Sequence, residues 1–188
     1  MGISPYECLP SLLPNRWCRK VYWAIPVHLH AMRFTTLGTI DLDEAPGASQ
    51  LLVQPKLLTL FAYLVFARRG GFQRRDKLAG LLWDEQSEER ARASLRTALS
   101  SLRGDADVGI DVSRLQCDAF EFEDAIARDE LAFALELYRG PFLEGLYPET
   151  SALQHWLDER REYYRATAAD AAWTLAQRYE SQSSDLTS

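Results

Sequence analysis

The sequence predicts a mostly helical α+β fold, and three observations carry that prediction. Residues after Met32 are rich in β-branched side chains, which is typical of strands. Between residues 55 and 103 apolar residues recur at intervals of three and four, the period of helices. Beyond Asp118 the same period continues almost to the end of the chain. The predicted order is strands, three helices, one strand and a final helical segment.

The predicted strands lie at the start of this order. MRFTTLGTIDL (32–42) predicts one strand, DEAPGASQ (43–50) a turn-rich loop, and LLV (51–53) a second short strand. Residues 1–31 contain four prolines and keep no regular period. We interpret them as an N-terminal extension that need not be native, with Met32 as the hypothetical start of translation.

The first two central helices have clear boundary signals. Pro55 suits the first turn of a helix over PKLLTLFAYLVFARRGG, and Gly70-Gly71 end that helix. RDKLAGLLW (75–83) predicts a short second helix whose leucines and Trp83 face inward.

The third central helix, 87–103, has one apolar face. Ser87 is a favoured N-cap residue, and Glu88 and Glu89 occupy the first turn, where acidic residues suit the helix dipole. Gly104 ends the helix. A helical wheel gives an apolar face that we expect to be buried, formed by Ala91, Leu95, Ala98, Leu99 and Leu102.

The remaining chain predicts one more strand and then helices only. IDVSRLQCD (110–118) alternates weakly, and strands on both sides of three helices are what a winged helix-turn-helix requires. Asp118 is expected to cap a helix that starts at the next residue, and a break at 139–141 separates this helix from a long last one. Residues 181–188 predict a polar, disordered tail.

Charge is distributed unevenly over the chain. The formal net charge is −6, yet residues 32–118 hold twelve basic and twelve acidic side chains. Residues 119–188 hold six arginines against fourteen acidic residues. The middle of the chain can therefore present a basic face inside an acidic protein, which indicates two parts with different partners.

The arginines of helix 87–103 lie away from its apolar face. Arg92, Arg96 and Arg103 share one flank, and after Glu89 no acidic residue is interspersed before the helix ends. Arginine binds phosphate or guanine, and hydroxyl side chains reach phosphates or bases. Basic residues also begin the second helix, where a helix-turn-helix protein crosses the DNA backbone. The pattern gives as candidate DNA contacts Arg74, Arg75, Lys77, Arg90, Arg92, Arg96, Thr97 and Ser100.

A solvated surface is the alternative interpretation of the same arginines. In that case Glu88 and Arg92 form an ordinary i,i+4 ion pair that needs no ligand.

Other function classes lack their signals. The chain has no Walker loop, GxGxxG, HExxH or GxSxG, so we expect neither an enzyme nor a cofactor or metal site. Cys8, Cys18 and Cys117 form no CxxC, which favours a reducing cytoplasm, and we interpret Cys117 as a buried, inert thiol. No apolar run approaches the about 18–20 residues of a membrane-spanning helix. His155 is interpreted as a surface or packing histidine.

Several stretches, in this order and spacing, resemble the SARP/BTAD family of bacterial transcriptional regulators. They are LAGLLW, ARASLRTALSSLR, Asp118 with Phe122, and YRGPFLEGL, followed by WLDERREYY. The resemblance runs from about Met32 to Glu180. It implies an OmpR-type winged-helix DNA-binding domain at 32–117, joined to a TPR-like bacterial transcriptional activator domain at 118–180.

The resemblance also implies roles for particular residues. Helix 87–103 becomes the recognition helix that enters the major groove, and Ser94 joins the candidate contacts. Implied partners are double-stranded DNA, bound side by side at direct repeats by a homodimer, and RNA polymerase. A packing corner between helices is implied for Tyr138, Gly140, Pro141, Phe142, Leu143 and Trp156.

Three features depart from the family pattern. Only GDADVGIDVSRLQC separates Arg103 from Asp118, so the β-hairpin wing is predicted to be short. Arg74 stands where a capping Ser or Thr commonly opens the second helix. The activator domain is truncated. Two functions follow: a DNA-binding regulator, expected to be an activator, or a protein-interaction module whose degenerate winged helix no longer binds DNA strongly.

Overall fold

The computed structural model of the chain describes residues 32–43, 48–67, 73–103 and 115–185. The predictions for residues 1–31, Gly70-Gly71, the wing at 104–114 and residues 186–188 lie outside this part of the chain. Within helix 87–103, the side chains of Leu102 and Arg103 also lie outside the described part of the chain.

The described residues form seven helices and a three-stranded sheet, so the mostly helical α+β class is confirmed. In chain order the elements are β1 (Met32–Thr35), β2 (Asp41–Asp43), α1 (Ala48–Val53), α2 (Pro55–Phe66), α3 (Arg75–Leu82), α4 (Glu88–Arg103), β3 (Leu115–Cys117), α5 (Asp118–Ala127), α6 (Leu131–Leu137) and α7 (Ser151–Asp185). The three central helices and the strand after them lie where the sequence predicts them.

The sheet has the order β2-β1-β3. Phe34 of β1 lies opposite Leu42 of antiparallel β2 and opposite Cys117 of parallel β3. The stretch 32–42, predicted as one strand, is therefore two strands. Gly38 lies in the turn between them with φ of 102°, a conformation that glycine adopts without steric cost.

LLV (51–53) is helical, so the prediction of a second short strand there was wrong. A three-residue apolar run does not distinguish a strand from a helix turn. Here Leu51 is buried and Leu52 packs against the same core, while Val53 is 78% exposed, so successive side chains do not alternate between two faces as they do in a strand. The amide of Gln54 donates to the carbonyl of Leu51, and α2 starts directly after it at Pro55.

The helical segment after Asp118 differs from the prediction at two places. Asp129, at φ of 61°, separates α5 from α6 within the predicted first helix, because aspartate tolerates the left-handed conformation. At the other end, α7 continues through Asp185, so residues 181–185 are helical rather than a disordered tail. The hydroxyls of Ser181 and Ser183 donate to carbonyls one turn earlier, which satisfies these polar groups within the helix.

One hydrophobic cluster joins the two predicted domains. Phe34 of β1 and Phe66 of α2 belong to it together with Phe122 of α5 and Tyr164 of α7. The hydroxyl of Tyr164, which is buried, donates to Glu123 at 2.8 Å. The predicted boundary between residues 117 and 118 thus lies inside a single core.

A second cluster holds the three central helices together. Leu60 of α2, Leu78 of α3 and Leu95 of α4 pack in it, and Leu153 brings the start of α7 into the same cluster. The buried Thr150 also donates its hydroxyl to the carbonyl of Leu81, 2.7 Å away. The long last helix therefore supports α3 directly.

Candidate nucleic-acid interface

Helices α3 and α4 form a pair joined by residues 83–87. Trp83 is the C-cap residue of α3, and its side chain is buried. Its backbone carbonyl accepts a hydrogen bond from the amide of Gln86. The Nζ atom of Lys56 lies 5.4 Å from the centroid of the Trp83 ring, a distance typical of cation–π contacts. The turn between the helices is thus fixed from the α2 side.

The inner face of α4 is the predicted one. Ala91, Leu95 and Ala98 are buried, with Leu95 only 2% exposed, and Leu99 is half-buried. The helical wheel therefore has the correct rotation for every residue of this face whose side chain is described. Arginines on the other side must point into solvent.

Four of the candidate residues form the outward face of α4: Arg90, Arg96, Thr97 and Ser100. All of them are exposed. Neither Arg90 nor Arg96 makes an ion pair with another residue in the described part of the chain. The hydroxyl of Thr97 donates a hydrogen bond to the carbonyl of Ala93, and Ala93 is exposed as well. Glu89 lies on the same side of the helix, seven residues before Arg96, so the face holds two arginines and one exposed carboxylate.

Arg92 has a different position from its neighbours. Its guanidinium lies 3.1 Å from Asp76 of α3 and 2.5 Å from Glu88, one turn earlier on α4. The i,i+4 pair considered as the alternative is therefore formed, and Asp76 adds an α3–α4 link. The side chains of Arg92, Asp76 and Glu88 are exposed by 49%, 58% and 74%. Ion pairs at such exposed positions contribute less than about 1 kcal/mol to the free energy of unfolding.

Two further predictions concern the edges of this surface. Arg74 is the N-cap residue of α3 and makes no capping hydrogen bond with its side chain, as the departure from the family pattern predicts. Arg74, Arg75 and Lys77 are all exposed. Ser94 is half-buried and donates its hydroxyl to Gln86 at 3.1 Å, so it faces the turn rather than the outward face.

Sequence reasoning missed the acidic border of this surface. Asp84 and Glu85 in the turn are exposed, as are Glu88 and Glu89 at the start of α4. The run DEQSEE (84–89) is visible in the sequence, but only Glu88 and Glu89 entered the prediction, both as charges that suit the helix dipole and Glu88 also as a partner of Arg92. The contact between Asp76 and Arg92, sixteen residues apart, has no periodic signal that could have revealed it.

Asp118, expected to cap the following helix, has a larger role. Its carboxylate accepts hydrogen bonds from the amides of Thr36 and Leu37 and from the Thr36 hydroxyl, at 2.6–2.9 Å. It also accepts the amide of Ala119 at 2.8 Å, although α5 begins at Asp118 itself. The carboxylate therefore ties the end of β1 to the start of α5 and is used for structure.

Few other groups in the described part of the chain could carry chemistry. His155 is exposed and lies 3.1 Å from Glu159, in agreement with a surface histidine. Across the described ranges no cluster of three or more His, Cys, Asp or Glu side chains could hold a metal ion. In the same ranges no helix is both long and apolar enough to cross a membrane.

Cys117 is 1% exposed, as its interpretation as a buried thiol predicts. Burial, together with the charge of Asp118, raises the pKa of this thiol from an ordinary 9.0 to about 12. A raised folded-state pKa stabilises the fold fully below about pH 9, and this contribution is lost as the pH rises towards 12. We expect a variant with Cys8 and Cys18 changed to serine to resist a disulfide reagent at pH 8.

The measurement is the rate of thiol release, with the same variant in denaturing urea as the control. Native protein should react only as fast as it opens. Equal rates in the folded and unfolded samples would contradict the burial of this thiol.

No family model matches this chain, and neither does any curated protein or solved structure.

Proposed function

We propose that the chain is a cytoplasmic, DNA-binding transcriptional regulator, an activator, that reads the major groove with α4. The observation that carries the proposal is the outward face of α4, where Arg90, Arg96, Thr97 and Ser100 are exposed and neither arginine forms an ion pair with another described residue. Guanidinium groups bind phosphate or the acceptor edge of guanine, and a helix fits the width of the major groove. The net charge of −6 opposes indiscriminate binding, so contact would be confined to the basic residues of α3 and α4.

For the fold we propose a winged helix-turn-helix with a short wing at 32–117 and a truncated, TPR-like activator domain at 118–180, as in the SARP/BTAD family. Support comes from the element order, in which β1 and β2 precede α2, α3 and α4 and β3 follows them. The short connection 83–87 between α3 and α4 fits a helix-turn-helix. The contacts of α5 with α6 and of α6 with α7 fit stacked helical repeats.

Each basic group has a role in this proposal. Arg90 and Arg96 contact bases or phosphates in the groove. Arg74, Arg75 and Lys77, at the start of α3, contact the phosphate backbone, where positive side chains fix the register of a protein on the duplex. Arg92 would exchange its exposed carboxylate partners for a phosphate at little cost. Binding side by side at direct repeats and contact with RNA polymerase complete the proposal.

A second candidate function is a protein-interaction module. It is favoured by the acidic border of α4 and by the pairing of Arg92 with Asp76 and Glu88, which reduce the positive charge available to DNA. Salt separates the two functions. DNA binding through phosphates weakens steeply with salt, because it depends on the release of counterions, whereas an apolar protein contact changes little.

Arg96→Ala is expected to weaken DNA binding by about 1–3 kcal/mol if Arg96 contacts a base, or to reduce the salt slope by about one unit if it contacts a phosphate. Stability should not change, because the side chain is exposed. The measurement is fluorescence anisotropy of full-length protein with random duplex DNA at two salt concentrations, followed by selection of an enriched motif.

The matched control is Arg128→Ala, an exposed arginine at the end of α5, which should bind as the unchanged protein does. Leu95→Ala should instead lower stability by about 2–5 kcal/mol, because its side chain is buried. Identical DNA affinity for the Arg96 and Arg128 variants would exclude the outward face of α4 as the DNA-binding surface. Absence of salt-sensitive binding in a folded sample would favour the interaction module.

A further inference from the structure

Helix α7 uses one side for the core of the protein. Leu157, Tyr164, Ala168 and Ala171 are buried along this side. Most of the helix beyond Ala171 is exposed. The last part of this 35-residue helix therefore extends past the core that its earlier turns help to form.

A second apolar face lies on the solvent side of α7, about 120° around the helix from the buried one. It consists of Ala169, Ala172, Trp173 and Ala176, all exposed, with Trp173 exposed by 68%. We call these four residues the outer face. Their spacing of i, i+3, i+4 and i+7 is the pattern with which a helix packs on another helix. Small side chains around one large one allow close approach and provide space for the tryptophan.

Opposite charges stand at the two ends of the outer face. Arg165 lies one turn before Ala169, and Glu180 lies one turn after Ala176, on the same side of the helix. In an antiparallel pair centred between residues 172 and 173, Arg165 of each copy faces Glu180 of the other. The same centre places Ala169 opposite Ala176 and Trp173 opposite Ala172. The face is thus complementary to itself in charge and in size.

We propose that the outer face of α7 binds a second copy of this chain, as a two-fold antiparallel helix pair. A two-fold contact uses the same patch on both subunits, which the self-complementary order of residues provides. Another protein would need no such symmetry. The guanidinium of Arg165 donates two hydrogen bonds to the carboxylate of Glu162, from Nε at 2.8 Å and from Nη2 at 2.6 Å. It has further N–H donors for Glu180 of the second copy.

This contact is separate from the proposed DNA-binding surface. Trp173 lies about 30 Å along α7 from Leu153, which packs beside α3 and α4. Because the pair is two-fold symmetric, it would join copies on inverted sites or on two DNA segments, not neighbours on direct repeats. The face is small, so we expect a weak dimer that depends on concentration. It can be tested without DNA and does not rest on the proposed function.

Sedimentation equilibrium of the full-length chain is the first test. The unchanged protein should associate reversibly to a dimer, and Trp173→Ala should raise the dissociation constant at least tenfold. The matched control is Tyr147→Ala, which removes an aromatic side chain of similar exposure, 74%, outside α7. A purely monomeric chain at all accessible concentrations, or equal effects of the two variants, would overturn the proposal.

Exchange of the end charges tests the antiparallel arrangement. Arg165→Glu places two pairs of like charges across the interface, as does Glu180→Arg, so each variant alone should be monomeric. Mixed in equal amounts they should form a heterodimer, because both cross-subunit pairs are again opposite in charge. A mixture that stays monomeric, while the unchanged protein dimerises, would exclude this helix pair. Helical circular dichroism of each variant checks that α7 remains folded.

Discussion

Asp118→Ala is expected to lower the free energy of unfolding by about 3–5 kcal/mol, since three backbone amides and one hydroxyl lose their acceptor. The amides of Thr36 and Leu37 donate to this carboxylate at 2.8–2.9 Å, and both residues are fully buried. Urea denaturation followed by circular dichroism measures the loss.

Two variants make this result specific. Asp118→Asn keeps one acceptor oxygen but turns an NH2 group towards the donors, so its stability should lie between those of the aspartate and alanine proteins. Glu121→Ala removes an exposed carboxylate from the first turn of the same helix and should cost less than about 1 kcal/mol. If Asp118→Ala cost no more than Glu121→Ala, the carboxylate would act only as a helix charge.

The helices of the middle segment could be predicted because their information is local. Pro55 marks the start of α2, and the spacing of apolar residues fixes both the existence of α4 and the rotation that buries Leu95. The predicted basic face follows from that rotation, so Arg90 and Arg96 are exposed as expected.

Contacts between distant parts of the chain could not be predicted in this way. Nothing near Asp118 in the sequence indicates that it binds backbone amides 81 and 82 residues earlier. The same limit applies to Arg92, whose partner Asp76 lies on another helix. A period shows which side of a helix is buried, but it does not show what covers that side.

The corner between α6 and α7 depends on such a distant contact. Gly140 approaches Gly38 closely: a Cβ atom added to Gly140 would lie 3.1 Å from the Cα atom of Gly38. The amide of Gly38 donates to the carbonyl of Pro141, and the amide of Leu143 donates to Thr36. The family resemblance implied a packing corner here. Its partner is the turn between β1 and β2, at the opposite end of the described sequence.

Arg161 completes the corner from α7. Its guanidinium donates to the carbonyls of Phe142, Leu143 and Leu146 at 2.9–3.0 Å. Leu143 has φ of 48°, a conformation that a leucine keeps only where its surroundings hold it. The corner is therefore fixed from both the strand side and the helix side, which places the ring of Phe142 in the core.

Phe142→Ala is expected to lower the free energy of unfolding by about 3–5 kcal/mol, because a fully buried ring is replaced by a cavity. The ring centroid lies 4.8 Å from that of Phe66 in α2 and 5.0 Å from that of Tyr164 in α7. Phe142 also forms a β-bridge with Leu37. The change thus removes packing from both predicted domains, and both should become less stable together.

Hydrogen exchange measured by mass spectrometry distinguishes this shared core from two independent ones. In the Phe142 variant, peptides from α2 and from α7 should lose protection by the same factor, because one opening reaction exposes both. Loss of protection confined to α5, α6 and α7 would mean that residues 32–117 remain folded alone. Leu95→Ala in the second cluster provides the reciprocal case, since α7 enters that cluster through Leu153. Equal loss of protection of α2 and α7 in both variants would mean that the two clusters unfold as one cooperative unit.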